Sequence, residues 1–123
     1  TRAQSIFMKA IIYCVGLIYN PEGTKAGLFT HQGQLWPCVV RLRGVDTIAQ
    51  RFKETTERIF EQEIEWQNVK HLESDWSILP CKAHIQVFRT NEPGLIYACS
   101  TIRPLDKITN SEILELLKEN SFL

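Results

Sequence analysis

A chain of 123 residues has room for one packed domain and little more, and with 44% hydrophobic and 23% charged residues it can bury a core, which excludes a disordered class. Basic and acidic residues number 14 each, so no long-range field draws the chain toward nucleic acid or an anionic membrane. No apolar run is long enough to span a bilayer, and Cys14, Cys38, Cys81 and Cys99 lack the close spacing of a zinc site, so they read as buried reduced thiols of a cytoplasmic protein.

Residues 1–7 precede the only methionine, Met8, and are set aside as an extension, leaving 8–123 as a single domain. Residues 10–19 (AIIYCVGLIY) form a β-rich run, closed by the turn Asn20-Pro21-Glu22-Gly23. Residues 26–30 return as the second arm of a hairpin, 32–34 form a loop, and Trp36-Pro37 leads into a short strand over 38–42. A helix is predicted over 47–63. Thr47 and Gln50 have capping-box spacing, and Ile48, Phe52, Thr55 and Ile59 recur at helical intervals with Phe60 and Ile64 beside them. Residues 66–72 read as extended. Over 81–88 the pattern alternates: Ala83, Ile85 and Val87 point one way, Lys82, His84 and Gln86 the other. Asn91-Glu92-Pro93-Gly94 is a second turn, with 95–100 as its partner strand. Thr109 and Glu112 suggest a second capping box opening a terminal helix, and Asn120 a stop.

Strands and helices are intermixed, which predicts an α/β (α+β) sandwich with a mixed central sheet between the two helices. Ile48, Phe52, Ile59 and Phe60 are expected to face the interior, together with Ile11, Val15, Ile85 and Val87.

The element order, with QLWPCVVRLRG before the first helix, resembles the Nudix hydrolases over nearly the whole chain after Met8. Of the family's box, G-x5-E-x7-R-E-U-x-E-E-x-G-U, the residues Gly44, Arg58, Phe60 and Glu63 stand in register. Gln50, Ile59, Gln62 and Glu65 replace three glutamates and a glycine, Arg43 replaces one of the two glycines before the helix, and Trp66 fills the last apolar place loosely. The resemblance implies a Nudix-like sandwich whose cation site is degraded. Mg2+ prefers oxygen ligands, largely carboxylates and phosphates, and one surviving carboxylate, Glu63, makes a poor cage. Ile59 cannot ligate at all, and as part of the apolar stripe it is expected to make that site dry.

Other chemistry is weaker. Glu57, Glu61 and Glu65 read as a solvated helix surface. His31, His71 and His84 have no ligand spacing and are expected at the surface. Trp36, in the loop before the box, could stack a nucleobase, whereas Trp66 and Trp76 suit core or rim packing. Arg41 and Arg43 share a strand face and, with Arg51, Lys53 and Arg58, make the region basic. They could hold phosphate without a metal, or pair with Glu54, Glu57 and Glu61.

The expected function is a non-catalytic Nudix-fold protein that binds a nucleotide-type small molecule or a protein partner through Trp36, Arg41, Arg43 and Arg58, with no cofactor. The alternative is a divergent pyrophosphohydrolase using Mg2+ or Mn2+, with Glu63 as metal ligand, Glu63 and Arg58 as catalytic residues, and further acids from Glu73, Asp75 or Glu92. Homodimerisation through exposed strand edges or Trp66 and Trp76 is a third possibility, and neither a membrane nor a nucleic acid is an expected partner.

Overall fold

The computed structural model describes residues 11–43, 47–74 and 83–123. Met8, Gly44, Asp75, Trp76 and Cys81 lie outside them, and so do the readings that rest on these residues. In chain order the described elements are β1 (Ile11–Ile18), β2 (Ala26–His31), β3 (Gln34–Trp36), β4 (Cys38–Arg43), α1 (Ile48–Phe60), β5 (Gln67–Ser74), β6 (Ala83–Thr90), a 3-10 helix (Leu95–Ala98), β7 (Thr101–Arg103), a second 3-10 turn (Leu105–Lys107) and α2 (Ser111–Glu119). The class is mixed α/β, as expected: two helices accompany a mixed four-stranded sheet ordered β4-β1-β6-β5 and a three-stranded sheet ordered β3-β2-β7. The residues gather into two compact units. One comprises the chain up to Val15 with Val39–Phe88, and the other Gly16–Cys38 with Arg89–Leu123.

In the first unit, alternation sets the faces. Ala83, Ile85 and Val87 of β6 are buried on one side, while His84, Gln86 and Phe88 take the other. Phe88 stacks on Phe52 of α1 with ring centroids 4.4 Å apart and planes at 12°. Ile12, Cys14 and Leu42 complete this core, with Val40, Ile48 and Trp66 packed at its margin. Burial pushes the Cys14 thiol up to about 12, so it stays protonated and acts as a small hydrophobe.

Phe52, Val15, Ile85 and Val87 are buried as expected, but not in one core: Ile85 and Val87 lie on the β6 face opposite Phe88, and Phe88 is the residue that meets Phe52. Ile59 departs altogether: it is 60% exposed. Seven residues after Phe52, it lies within about 20° of the same helix face. Periodicity sets direction around the axis; it does not say how far along the axis the core extends. The apolar face of α1 therefore outlasts its cover, and the Ile59 position is wet rather than dry.

The second unit is built on a hairpin. Gln32 and Gly33 both take positive φ (51° and 75°), the signature of a two-residue primed turn, and they pair β2 with β3 as Phe29↔Trp36, Thr30↔Leu35 and His31↔Gln34. The loop expected at 32–34 is thus shorter, and Gln34 already belongs to β3. The partner strand expected over 95–100 does not form. Gly94, at φ 89°, turns the chain into the 3-10 helix, which buries the adjacent Leu95 and Ile96 and leaves Tyr97 exposed. Two buried neighbours in sequence do not fit a period of two. β2 pairs on its other edge with β7, in the register Ala26↔Arg103, Gly27↔Ile102 and Leu28↔Thr101. The hairpin expected between 10–19 and 26–30 is reduced to the single bridge Tyr19↔Ala26, because β1 belongs to the other sheet.

α2 starts one residue later than its expected cap. Asn110 Oδ1 accepts from the Ile113 backbone N–H at 3.0 Å, whereas Thr109 Oγ1 accepts from the Leu35 backbone N–H at 2.7 Å and so ties β3 to the helix entry. Asn120 ends the helix as expected, its side-chain amide donating to Leu116 O at 2.8 Å.

Candidate functional site

The box residues fall on α1 and the loop after it. The capping box expected from Thr47 and Gln50 does not form: Thr47 makes no side-chain cap, and Gln50 Nε2 donates instead to Glu54 Oε1 at 3.0 Å, one turn on. The helix also ends before Glu63. Glu61 adopts the left-handed conformation (φ 56°), and the Gln62 backbone N–H closes back on Glu57 O at 3.3 Å. Gln62 and Glu63 are therefore exposed loop residues, and Arg58 is an exposed helix residue. Among the described residues Glu63 belongs to no group of three potential metal ligands.

Side chains of α1 hold the segment beyond its C-terminus. Glu57 Oε2 accepts from the Ile64 backbone N–H at 3.0 Å and from Lys53 Nζ at 2.7 Å, and Lys53 Nζ also donates to Ile64 O at 3.0 Å. Both backbone polar groups of the fully buried Ile64 are thereby satisfied. The hydrogen bond from Lys53, then that from Ile64, holds the Glu57 carboxyl below its usual range, and the Glu57 bond raises Lys53. Glu57 is therefore a structural partner, not the solvated acid expected, whereas Glu61 and Glu65 are exposed. Trp66 takes the rim position expected of it: its ring lies 4.8 Å from that of Phe52, and its Nε1 donates to the buried Thr56 hydroxyl at 2.8 Å, which in turn donates to Phe52 O.

Three arginines of this unit, Arg41, Arg43 and Arg58, are left to solvent. Arg41 and Arg43 are exposed on β4, an edge strand, and as alternate residues they stand about 7 Å apart on one face. Arg51 is drawn toward them by a hydrogen bond from its Nη1 to Arg43 O. Arg58 lies two turns further along α1, about 10 Å from Arg51 and nearly in line with it. Two of the three expected competitors are engaged elsewhere, Glu57 by Lys53 and Glu54 by Gln50, while Glu61 is exposed. Among the described residues Arg41, Arg43 and Arg58 make no ion pair and no side-chain hydrogen bond.

Trp36 belongs to the second unit. It is half-buried on β3, meets His31 edge-to-face with centroids 6.4 Å apart, and has a buried Nε1 with no acceptor among the described residues. Glu92, one acid proposed for the hydrolytic alternative, is also in this unit, and Glu73 lies on β5 in the first.

One grouping escaped the sequence. His71 and Glu73 on β5 and His84 on β6 bring one ligand atom each within 4.8 Å of one another. His71 and Glu73 are alternate residues, a spacing that places both on one strand face; His84 joins them only through strand pairing, which no local motif records. No family model, curated protein or solved structure matches this chain.

Proposed function

We propose that this chain is a Nudix-like binding protein without metal-dependent turnover, whose ligand is a phosphate-bearing molecule of the nucleotide type held by Arg41 and Arg43. Val40 and Leu42 of the same strand pack toward Phe52, so Arg58 on the helix does not share their face. The observation that carries this reading is the pair of exposed guanidinium groups on one strand face, Arg41 and Arg43, with no acidic partner among the described residues. Guanidinium groups match phosphate oxygens in a planar, two-toothed geometry and keep their charge at any working pH. The chemistry at the box positions supports the absence of turnover. Ile59 is an exposed hydrocarbon where the family has a carboxylate, and Glu63 lies beyond the helix end. Hydrolysis at a diphosphate needs cation charge set against the phosphoryl oxygens.

The test is calorimetric titration with ADP and with pyrophosphate, beside a hydrolysis panel containing Mg2+ or Mn2+. A charge-assisted hydrogen bond contributes about 1.5–3 kcal/mol, so Arg41→Ala with Arg43→Ala should weaken binding by at least about tenfold, and added salt should weaken it further. Absence of binding, or binding indifferent to these arginines, would sink the proposal. Turnover abolished by Glu63→Gln would replace it with a divergent hydrolase.

A further inference from the structure

We propose that His71, Glu73 and His84 form a site for one borderline divalent cation of the Zn2+ class, with its fourth position open to water. The site is independent of the arginine face and uses different chemistry. His84 Nδ1 stands 3.5 Å from His71 Nε2 and 3.5 Å from Glu73 Oε1. A tetrahedral ion with ligands at about 2.0–2.1 Å requires ligand atoms about 3.4 Å apart, so two of the three edges already have that length. The third, within 4.8 Å, closes by a side-chain rotation of Glu73.

The second observation is the network behind His71. Gln86 Nε2 donates to Asn68 Oδ1, which turns the Gln86 carbonyl oxygen toward His71 Nδ1 at 3.2 Å. His71 Nδ1 must then carry the ring proton, and its Nε2 presents a lone pair toward His84. Metal-binding histidines are commonly oriented in this way, by donating the other ring N–H to a carbonyl oxygen. His84 ligates through Nδ1 with its proton on Nε2. Without an ion, a proton on His84 Nδ1 would be shared between two acceptors at 3.5 Å, both long for a hydrogen bond. A cation at about 2.1 Å from all three atoms answers the geometry better.

The scaffold favours the arrangement. β5 and β6 are adjacent strands of one sheet, and the buried Leu72 fixes the outward direction of His71 and Glu73 on either side of it. The His84 and Glu73 side chains are 45% and 50% exposed, which leaves an entry path and room for water. Two imidazole nitrogens and one carboxylate oxygen suit Zn2+, Co2+, Ni2+ or Cu2+, whereas Mg2+ and Ca2+ prefer oxygen alone.

The experiment is titration of the whole chain with Zn2+ in a non-chelating buffer, together with the visible spectrum of the Co2+ form. One ion per chain is expected, with Mg2+ unable to compete. The Co2+ bands should be those of a four-coordinate nitrogen and oxygen set, without thiolate charge transfer. His84→Ala or His71→Ala should weaken binding by about 100-fold or more, and Gln86→Leu, which removes only the orienting carbonyl, by about tenfold. No saturable binding overturns the proposal, as does binding unchanged in both histidine variants. A thiolate band in the Co2+ spectrum also overturns it and assigns the ion to cysteine. The spectrum is read on the unaltered protein, so it decides the matter even if a variant fails to fold.

Discussion

Single residues carry the tightest constraints in the second unit. A Cβ on Gly27 would collide with Cys99 Sγ and come within 3.0 Å of Cys99 Cβ and 3.3 Å of Ile96 Cγ1. Cys99 has little freedom to retreat: its thiol is oriented toward Leu95 O at 3.8 Å, and burial pushes it up to about 11. Gly27→Ala should therefore destabilise by about 1–3 kcal/mol, seen as a lower thermal midpoint, and Cys99→Ala should recover part of that loss. Two independent, additive effects would show that the contact is not the cause. None of this was legible in the sequence, where Gly27 sits unremarked inside a strand and Cys99 seventy-two residues later. Phe52 was legible, because helical spacing names the buried face. Ile59 was not, because it shares that face and lies beyond the end of the core.

Among the elements, α1 shows how a helix end is decided by what its side chains can reach. The sequence pattern predicts a helix over 47–63, but Glu61 in the left-handed conformation ends it earlier. The Lys53–Glu57 pair then captures Ile64. The folded protein holds Glu57 below the usual carboxylate range, so this pair stabilises fully above the range of a free carboxylate. Its contribution disappears as pH falls through the depressed value. Lys53 has the opposite sense: its contribution is complete below the free lysine range and is lost as pH rises through the elevated value. Glu57→Gln should accordingly lower the melting temperature at neutral pH, and the gap from the unaltered protein should narrow in acid below about pH 4. A gap of constant size across that range would assign the effect to packing. The same contest between partners explains the misread caps. The spacing of Thr47 and Gln50 matches a capping box, yet Gln50 reaches Glu54; Thr109 matches another, yet its hydroxyl serves Leu35.

For the whole molecule, element order was legible because turns such as Asn20-Pro21-Glu22-Gly23 punctuate it and periodicity labels the pieces between. The division into two sheets, and the meeting of His71 with His84, were not, because both depend on which strands become neighbours. β1 lies between β4 and β6, and 72 residues separate the first residues of β1 and β6. Pairing over such distances makes the folding barrier a matter of loop closure, so refolding from denaturant should take milliseconds to seconds, as stopped-flow fluorescence would record. Completion in microseconds would contradict that account. The two compact units are threaded through each other in sequence, with the chain passing from one to the other after Val15, Cys38 and Phe88. A ribosome adding about 5–20 residues per second needs roughly 4–15 s to travel from β1 to β6. Until that interval has passed, the apolar residues of β1 have no sheet partner on the β6 side. The newborn chain is thus a client for whatever binds exposed hydrophobic segments, and its vulnerable period ends only after β6 has been made.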